Sequence, residues 1–201
     1  MKLAQRSGFV GAVALTTLIT MSAAGGAGAV TTHATGHASS THAKVAKPKP
    51  KTKTKKMAFK ATYTGTVSLL WNSDSVTVTG VNGKGTGTLL GASSLVGSGS
   101  GSAANTCNPF AGKGYLIGSG SKLLLSVTTS PTSQACAAGQ SAPTSVSVKG
   151  VAKVTGGLGK YAGATGTLSF TGSFSIQSTT AGSTEKDTFK AVLTGTLTVK
   201  A

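Results

Sequence analysis

Residues 154–176 read VTGGLGKYAGATGTLSFTGSFSI, and five of the twelve residues from Thr155 to Gly166 are glycine. A run this rich in glycine either cradles phosphate or turns the chain, and the residues after it decide which. The fragment Gly157 to Ala162, GLGKYA, has the G-x-G-x-x-A spacing of a dinucleotide fingerprint. That fingerprint must open a helix whose N-terminus faces the pyrophosphate. Here the next residues, TGTLSFTGSFSI, alternate apolar and polar and predict a strand. A phosphate-binding P-loop fails too: Val154 stands where its first glycine belongs, and Tyr161 follows Gly159-Lys160 where Ser or Thr is required. The run therefore reads as a corner between two long antiparallel strands, with glycine supplying positive φ and with Leu158 and Tyr161 packed over the end of the domain.

The period of two extends outward from that corner. FKATYTGTVSL (59–69) places Phe59, Ala61, Tyr63, Gly65, Val67 and Leu69 on one face. SVSVKGVAKV (145–154), TLSFTGSFSI (167–176) and FKAVLTGTLTV (189–199) repeat the pattern. Strict alternation of this length predicts half-buried strands. Shorter candidates are SVTVTGV (75–81), GTGTLLGASSLV (85–96), GKGYLIGSG (112–120) and SKLLLSVTT (121–129). The turn signals between them are NSD, NGKG, SPTSQ and AGSTEKD. No segment has helical period, so residues 57–201 read as an all-β domain of about eight strands. Gly65, Gly80, Gly150, Gly172 and Gly195 are expected on the apolar faces, where they permit sharp coiling. That favours a single closed antiparallel barrel, with a β-sandwich as the alternative. The fragment TGT followed by an aliphatic residue recurs at Thr64, Thr86, Thr165 and Thr194 with irregular spacing, which reflects strand chemistry and not a solenoid.

The corner formed by Gly156, Gly157, Gly159, Tyr161, Gly163 and Gly166, followed by FKAVLTGTLTV, resembles the closing hairpin of the allene oxide cyclase and dirigent barrels. It is more similar still to small secreted bacterial proteins of actinobacterial type that have this corner and no assigned activity. The resemblance covers roughly the last 50 residues. It implies an eight-stranded antiparallel barrel and, as in the plant families, a homotrimer. The plant activities use polar and ionisable groups around the cavity, carboxylates among them. The alternation places no acid on an inner face: Asp74 reads as a turn residue, and Glu185 and Asp187 as members of the loop before the last strand. The resemblance therefore implies a fold and carries over no catalytic residue.

The N-terminus reads as a targeting segment. Lys2 and Arg6 precede an apolar stretch of about a dozen residues, and Ala27 to Ala29 supply a small-x-small cleavage pattern, which together describe a secretory signal peptide over 1–29. The apolar stretch is well short of the ~20 residues that span a bilayer. Residues 30–56, VTTHATGHASSTHAKVAKPKPKTKTKK, have no apolar period and read as a disordered linker. Its lysines, Lys44, Lys47, Lys49, Lys51, Lys53, Lys55 and Lys56, form a cationic tether suited to anionic cell-wall polymers or an anionic lipid surface. No arginine lies beyond Arg6, which argues against specific nucleic-acid recognition, where the bidentate guanidinium is favoured. In an oxidising compartment Cys107 and Cys136 are expected to pair.

Histidine occurs only at 33, 37 and 42, so the β domain has no base for Ser-His-Asp or Cys-His catalysis. No metal or cofactor site is expected there, and three spaced histidines in a linker lack a supporting second shell. The sequence is read first as a secreted, non-enzymatic binding or structural protein of the cell exterior. A carrier of a small apolar ligand and a cyclase- or dirigent-like barrel enzyme are the alternatives. Phe59, Tyr63, Phe170, Phe174 and Phe189 on the inner faces either fill the barrel or line a ligand space.

Overall fold

The structure, a computed structural model, describes residues 52–201. The segment read as a signal peptide lies outside the described residues. So do residues 30–51 of the linker, with its histidines and with Lys44, Lys47, Lys49 and Lys51.

Nine antiparallel strands follow: β1 (Thr54–Trp71), β2 (Ser75–Gly87), β3 (Gly91–Ser102), β4 (Cys107–Gly118), β5 (Ser121–Val127), β6 (Gln134–Ala137), β7 (Thr144–Leu158), β8 (Thr165–Ile176) and β9 (Thr184–Lys200). The sheet runs β3-β2-β1-β9-β8-β7-β5-β4, and the pairing of β3 with β4 closes it into a barrel. Closure excludes the sandwich. β6 is the extra strand. It lies between β4 and β7 beyond the end of β5, so β5 and β6 together form one interrupted stave of an eight-stave ring. The break is held by Ser133, which is 1% exposed. Its carbonyl accepts the Phe110 N–H at 3.2 Å and its hydroxyl accepts the Val151 N–H at 3.4 Å. Cys107 and Cys136 are register partners and form the disulfide, on the outer face of β4 and β6.

Alternation sorts the walls as expected along β1, β7, β8 and β9: apolar residues point inward, and Thr, Ser and Lys point outward. This polarity is the reverse of a lipid-facing barrel. β1 begins at Thr54, so Lys55 and Lys56, read as the end of the linker, are strand residues paired with Val199 and Thr198.

Three local readings are corrected. NGKG (82–85) is not a turn but the middle of β2, because Gly83, Gly85 and Gly87 continue the inward period of Val76, Val78 and Val81. The turn lies instead at Thr88–Leu90, dividing GTGTLLGASSLV between β2 and β3. Gly80 is not on the inner face. It sits in a bulge with Thr79, which shifts the register of β2 against both β1 and β3. Finally, β9 extends back through most of AGSTEKD, so Glu185 and Asp187 are inner-face strand residues opposite Leu69 and Val67. Their period-two spacing from Phe189 outweighs the polarity that suggested a loop.

The interior divides into a packed half and an open half. The packed half contains Phe59, Tyr63, Leu90, Leu116, Leu123, Val154, Leu168 and Leu197, all buried. The glycine corner closes this end. Gly159 and Gly163, at φ 66° and 73°, fold Gly159–Tyr161 into one 3-10 turn, with Ala162 and Ala164 donating back to Gly159 and Tyr161. The turn drops the Tyr161 ring, 4% exposed, onto the barrel end. Its hydroxyl donates to the Leu89 carbonyl in the β2–β3 turn, and the Ser119 hydroxyl donates to Leu90 at 2.8 Å. Three turns are thereby tied together into a lid. Leu158, expected to pack there as well, is 57% exposed.

Candidate functional site

The other half of the barrel holds a cavity of about 620 Å³. It runs from the middle of the barrel to the rim formed by the loops at 103–106, 138–143 and 177–183. Its walls are predominantly aliphatic and aromatic. The chain has six phenylalanines and one tryptophan; Phe110, Phe170, Phe174, Phe189 and Trp71 all line this space. Phe110 and Phe170 meet edge to face, with centroids 6.0 Å apart. Of the five aromatic residues expected inside, Phe59 and Tyr63 are spent on the packed half, and the other three line the cavity. Phe110 and Trp71 complete the set. Trp71 falls two residues beyond Leu69 in the β1 alternation, which is the signal that places it inward.

The rim is organised by one carboxylate. The Trp71 indole donates to Glu185 Oε1 at 2.7 Å, while the N–H groups of Gln177 and Ser178 donate to Oε2 at 2.8 and 3.3 Å. Backbone bonds from Trp71 to Ser183 and from Gly182 to Trp71 fasten the same loop. Glu185 thus straps the β8–β9 loop across the end of β1. Replacing it with Ala strands the indole N–H and two backbone donors. Hydrogen bonds to charged groups contribute ~1.5–3 kcal/mol each, so Glu185→Ala is expected to cost about 2–3 kcal/mol in urea unfolding. Emission from Trp71, the chain's one tryptophan, is expected to move to longer wavelength as the rim loosens, and Glu185→Gln to recover only part of both effects, because its amide keeps one acceptor oxygen and turns an NH2 toward the donors on the other side.

Asp187, two residues further inward along β9, is different. Its Oδ2 is shielded from solvent and has no hydrogen-bond partner. Loss of solvation, reinforced by the neighbouring Glu185 charge, raises its pKa above the ordinary carboxylate value. A carboxyl with a raised folded pKa binds more protons in the fold than in the unfolded chain. Its contribution is therefore present at acid pH and is lost as pH rises through the raised value. Asp187→Asn is expected to gain about 1 kcal/mol at pH 7 and nothing at pH 3, as read by urea titrations of both proteins at the two pH values.

The remaining groups are structural. The Tyr63 hydroxyl bonds to Ser93 Oγ at 3.0 Å inside the packed half, and burial pushes its pKa up despite that bond. Tyr115 lies on the outer wall with the Lys122 ammonium 4.1 Å from its ring centroid. Asn108, buried at the rim, bonds through its side chain to both backbone groups of Asn105. Among the described residues no three His, Cys, Asp or Glu side chains gather as a metal site would require. The glycine corner lies at the opposite end from the cavity, and the tether lysines within the described residues, Lys53, Lys55 and Lys56, are exposed. The structure therefore brings together none of the sequence-predicted contact residues at the cavity. It assembles there Trp71 and four phenylalanines, with Glu185 bonded to Trp71 at the rim. Comparison with known proteins finds no matching family model, no matching curated protein and no matching solved structure.

Proposed function

We propose that the protein is a secreted binding module that carries a small apolar molecule in the open half of its barrel. The observation that carries this reading is the apolar cavity of about 620 Å³, within the size range of ligand pockets, at one end of a barrel whose other end is packed shut. A purely structural barrel gains by filling its interior, since a void forfeits dispersion contacts. The cyclase-like alternative is less well supported, although the inner-face position of Glu185 and Asp187 removes one argument against it. The Glu185 carboxylate is engaged by three structural donors, and the cavity wall offers no pair of facing acid and base groups.

Native mass spectrometry of protein recovered from its own culture medium, with the disulfide intact, tests the reading. A discrete adduct that is released by organic solvent supports it. A ligand-free mass together with failure to bind any apolar probe would sink it. The cationic tether remains a proposal about where the carrier resides. It predicts that the chain from residue 30 binds anionic vesicles in low salt, that residues 54–201, which keep β1 whole, bind less, and that the difference disappears at high salt.

A further inference from the structure

The cavity has two unlike walls. The inner face of β3 carries Gly97, Gly99 and Gly101, and that of β4 carries Gly112 and Gly114. The register sets Gly97 beside Gly114 and Gly99 beside Gly112, so this wall ends at the peptide backbone. In a ring of eight staves, β3 and β4 stand four positions from β8 and β9, which carry Phe170, Phe174 and Phe189. A peptide wall, bare from Gly112 to Gly114 and bounded toward the rim by Phe110 in contact with Phe170, therefore faces an aromatic one across the cavity.

The bare wall is not a loose fit waiting to close. A Cβ on Gly99 would stand 2.4 Å from the Ala111 carbonyl oxygen, and one on Gly112 would stand 2.7 Å from that of Ser98. The strands lie too close for any side chain there, so this wall of the void is set by backbone and not by rotamers. The charges around it are equally one-sided. The charged residues at its border are Lys113 and Lys190, both in exposed outward positions, and Glu185 and Asp187 lie on the inner face of β9 outside its lining. A fatty-acid head group would find no inward-pointing cation to pair with.

We propose that this cavity selects a neutral, flat, fused-ring molecule over a flexible chain or a fatty acid. The inference rests on the carrier reading above. A rigid ring system gives up little internal freedom on entering a rigid space, whereas an alkyl chain loses several rotors. One face of the ring lies on the Gly97–Gly114 and Gly99–Gly112 peptides, and the other meets the phenylalanines in stacked or edge-to-face contact.

Pyrene, 1-hexadecanol and palmitate test the selection on the purified protein with its disulfide intact. Pyrene accepts energy from tryptophan, so quenching of Trp71 reports its occupancy directly, and the two chains are titrated as competitors that restore the emission. The expected result is saturable quenching by pyrene, with both chains weaker by about tenfold or more. Ala191→Leu, which adds bulk to the inner face of β9, is expected to weaken pyrene by a similar factor while thermal unfolding stays cooperative. Ala135→Leu on β6 serves the same purpose if the first variant does not fold. Hexadecanol or palmitate binding as tightly as pyrene overturns the ring selection and leaves the carrier reading standing. Pyrene binding that ignores the folded variants places the probe outside the cavity and also overturns the selection. No saturable binding by any of the three overturns both.

Discussion

Replacing Tyr161 with Ala is expected to cost about 3–5 kcal/mol of folding free energy, the range for removing a buried aromatic side chain. The ring is 4% exposed and caps the packed half of the barrel, and its hydroxyl ties the β7–β8 corner to Leu89. The substitution leaves both a void and an unpaired carbonyl. Tyr161→Phe separates the two: it keeps the ring and loses only the hydrogen bond, at about 1 kcal/mol. Urea unfolding of the three proteins measures both terms. Equal stability of Tyr161→Ala and the parent protein would show that the corner is an ornament and not a plug. A second readout distinguishes plug from site. Because Tyr161 lies at the end remote from the cavity, Tyr161→Phe is expected to leave pyrene affinity unchanged.

The second large effect is at the disulfide. Cys107 and Cys136 lie 29 residues apart in sequence. Cross-linking a loop of that length stabilises by about 3–4 kcal/mol in the chain-entropy account. The structural reason for needing it here is that β6 has only four residues, held between the ends of β4 and β7. So short a strand nucleates poorly, and its two inward side chains, Ala135 and Ala137, contribute little burial against the core. The double variant Cys107→Ser/Cys136→Ser is expected to unfold at a correspondingly lower urea midpoint. Amide exchange is expected to rise first in β6 and in residues 128–133. Reduction of the parent protein is expected to reproduce both changes. Uniform loss of protection across all nine strands would instead mean that the cross-link acts only on the unfolded chain.

The barrel was legible in the sequence wherever its inward residues were apolar. β1, β7, β8 and β9 announced themselves by alternation, and the glycine corner fixed how β7 meets β8. Legibility failed where the inward residue was glycine or charged. The second half of β2 reads as a turn because Gly83 and Gly85 are the favoured turn residues, although here they sit against β1 and Phe189. Glu185 and Asp187 read as a loop for the same reason: polarity masked their period-two relation to Phe189. β6 was invisible because four residues between turn signals carry no period. The cavity was beyond reach for a different reason. Whether Phe110, Phe170, Phe174 and Phe189 meet in the middle or stand apart depends on distances across the barrel, which no local pattern encodes.

The seam between β1 and β9 has a consequence for the order of events in folding. The longest pairing in the barrel, from Thr54 with Lys200 to Leu70 with Thr184, joins the first described strand to the last. β9 is the strand that covers that edge of β1, so the barrel of a nascent chain closes only after β9 has been synthesised. Such distant pairing makes for slow folding. Until it forms, β1 and β8 expose unpaired edges open to other chains. The time between synthesis and closure is thus the period of greatest vulnerability to aggregation, and a chain truncated before β9 never leaves it.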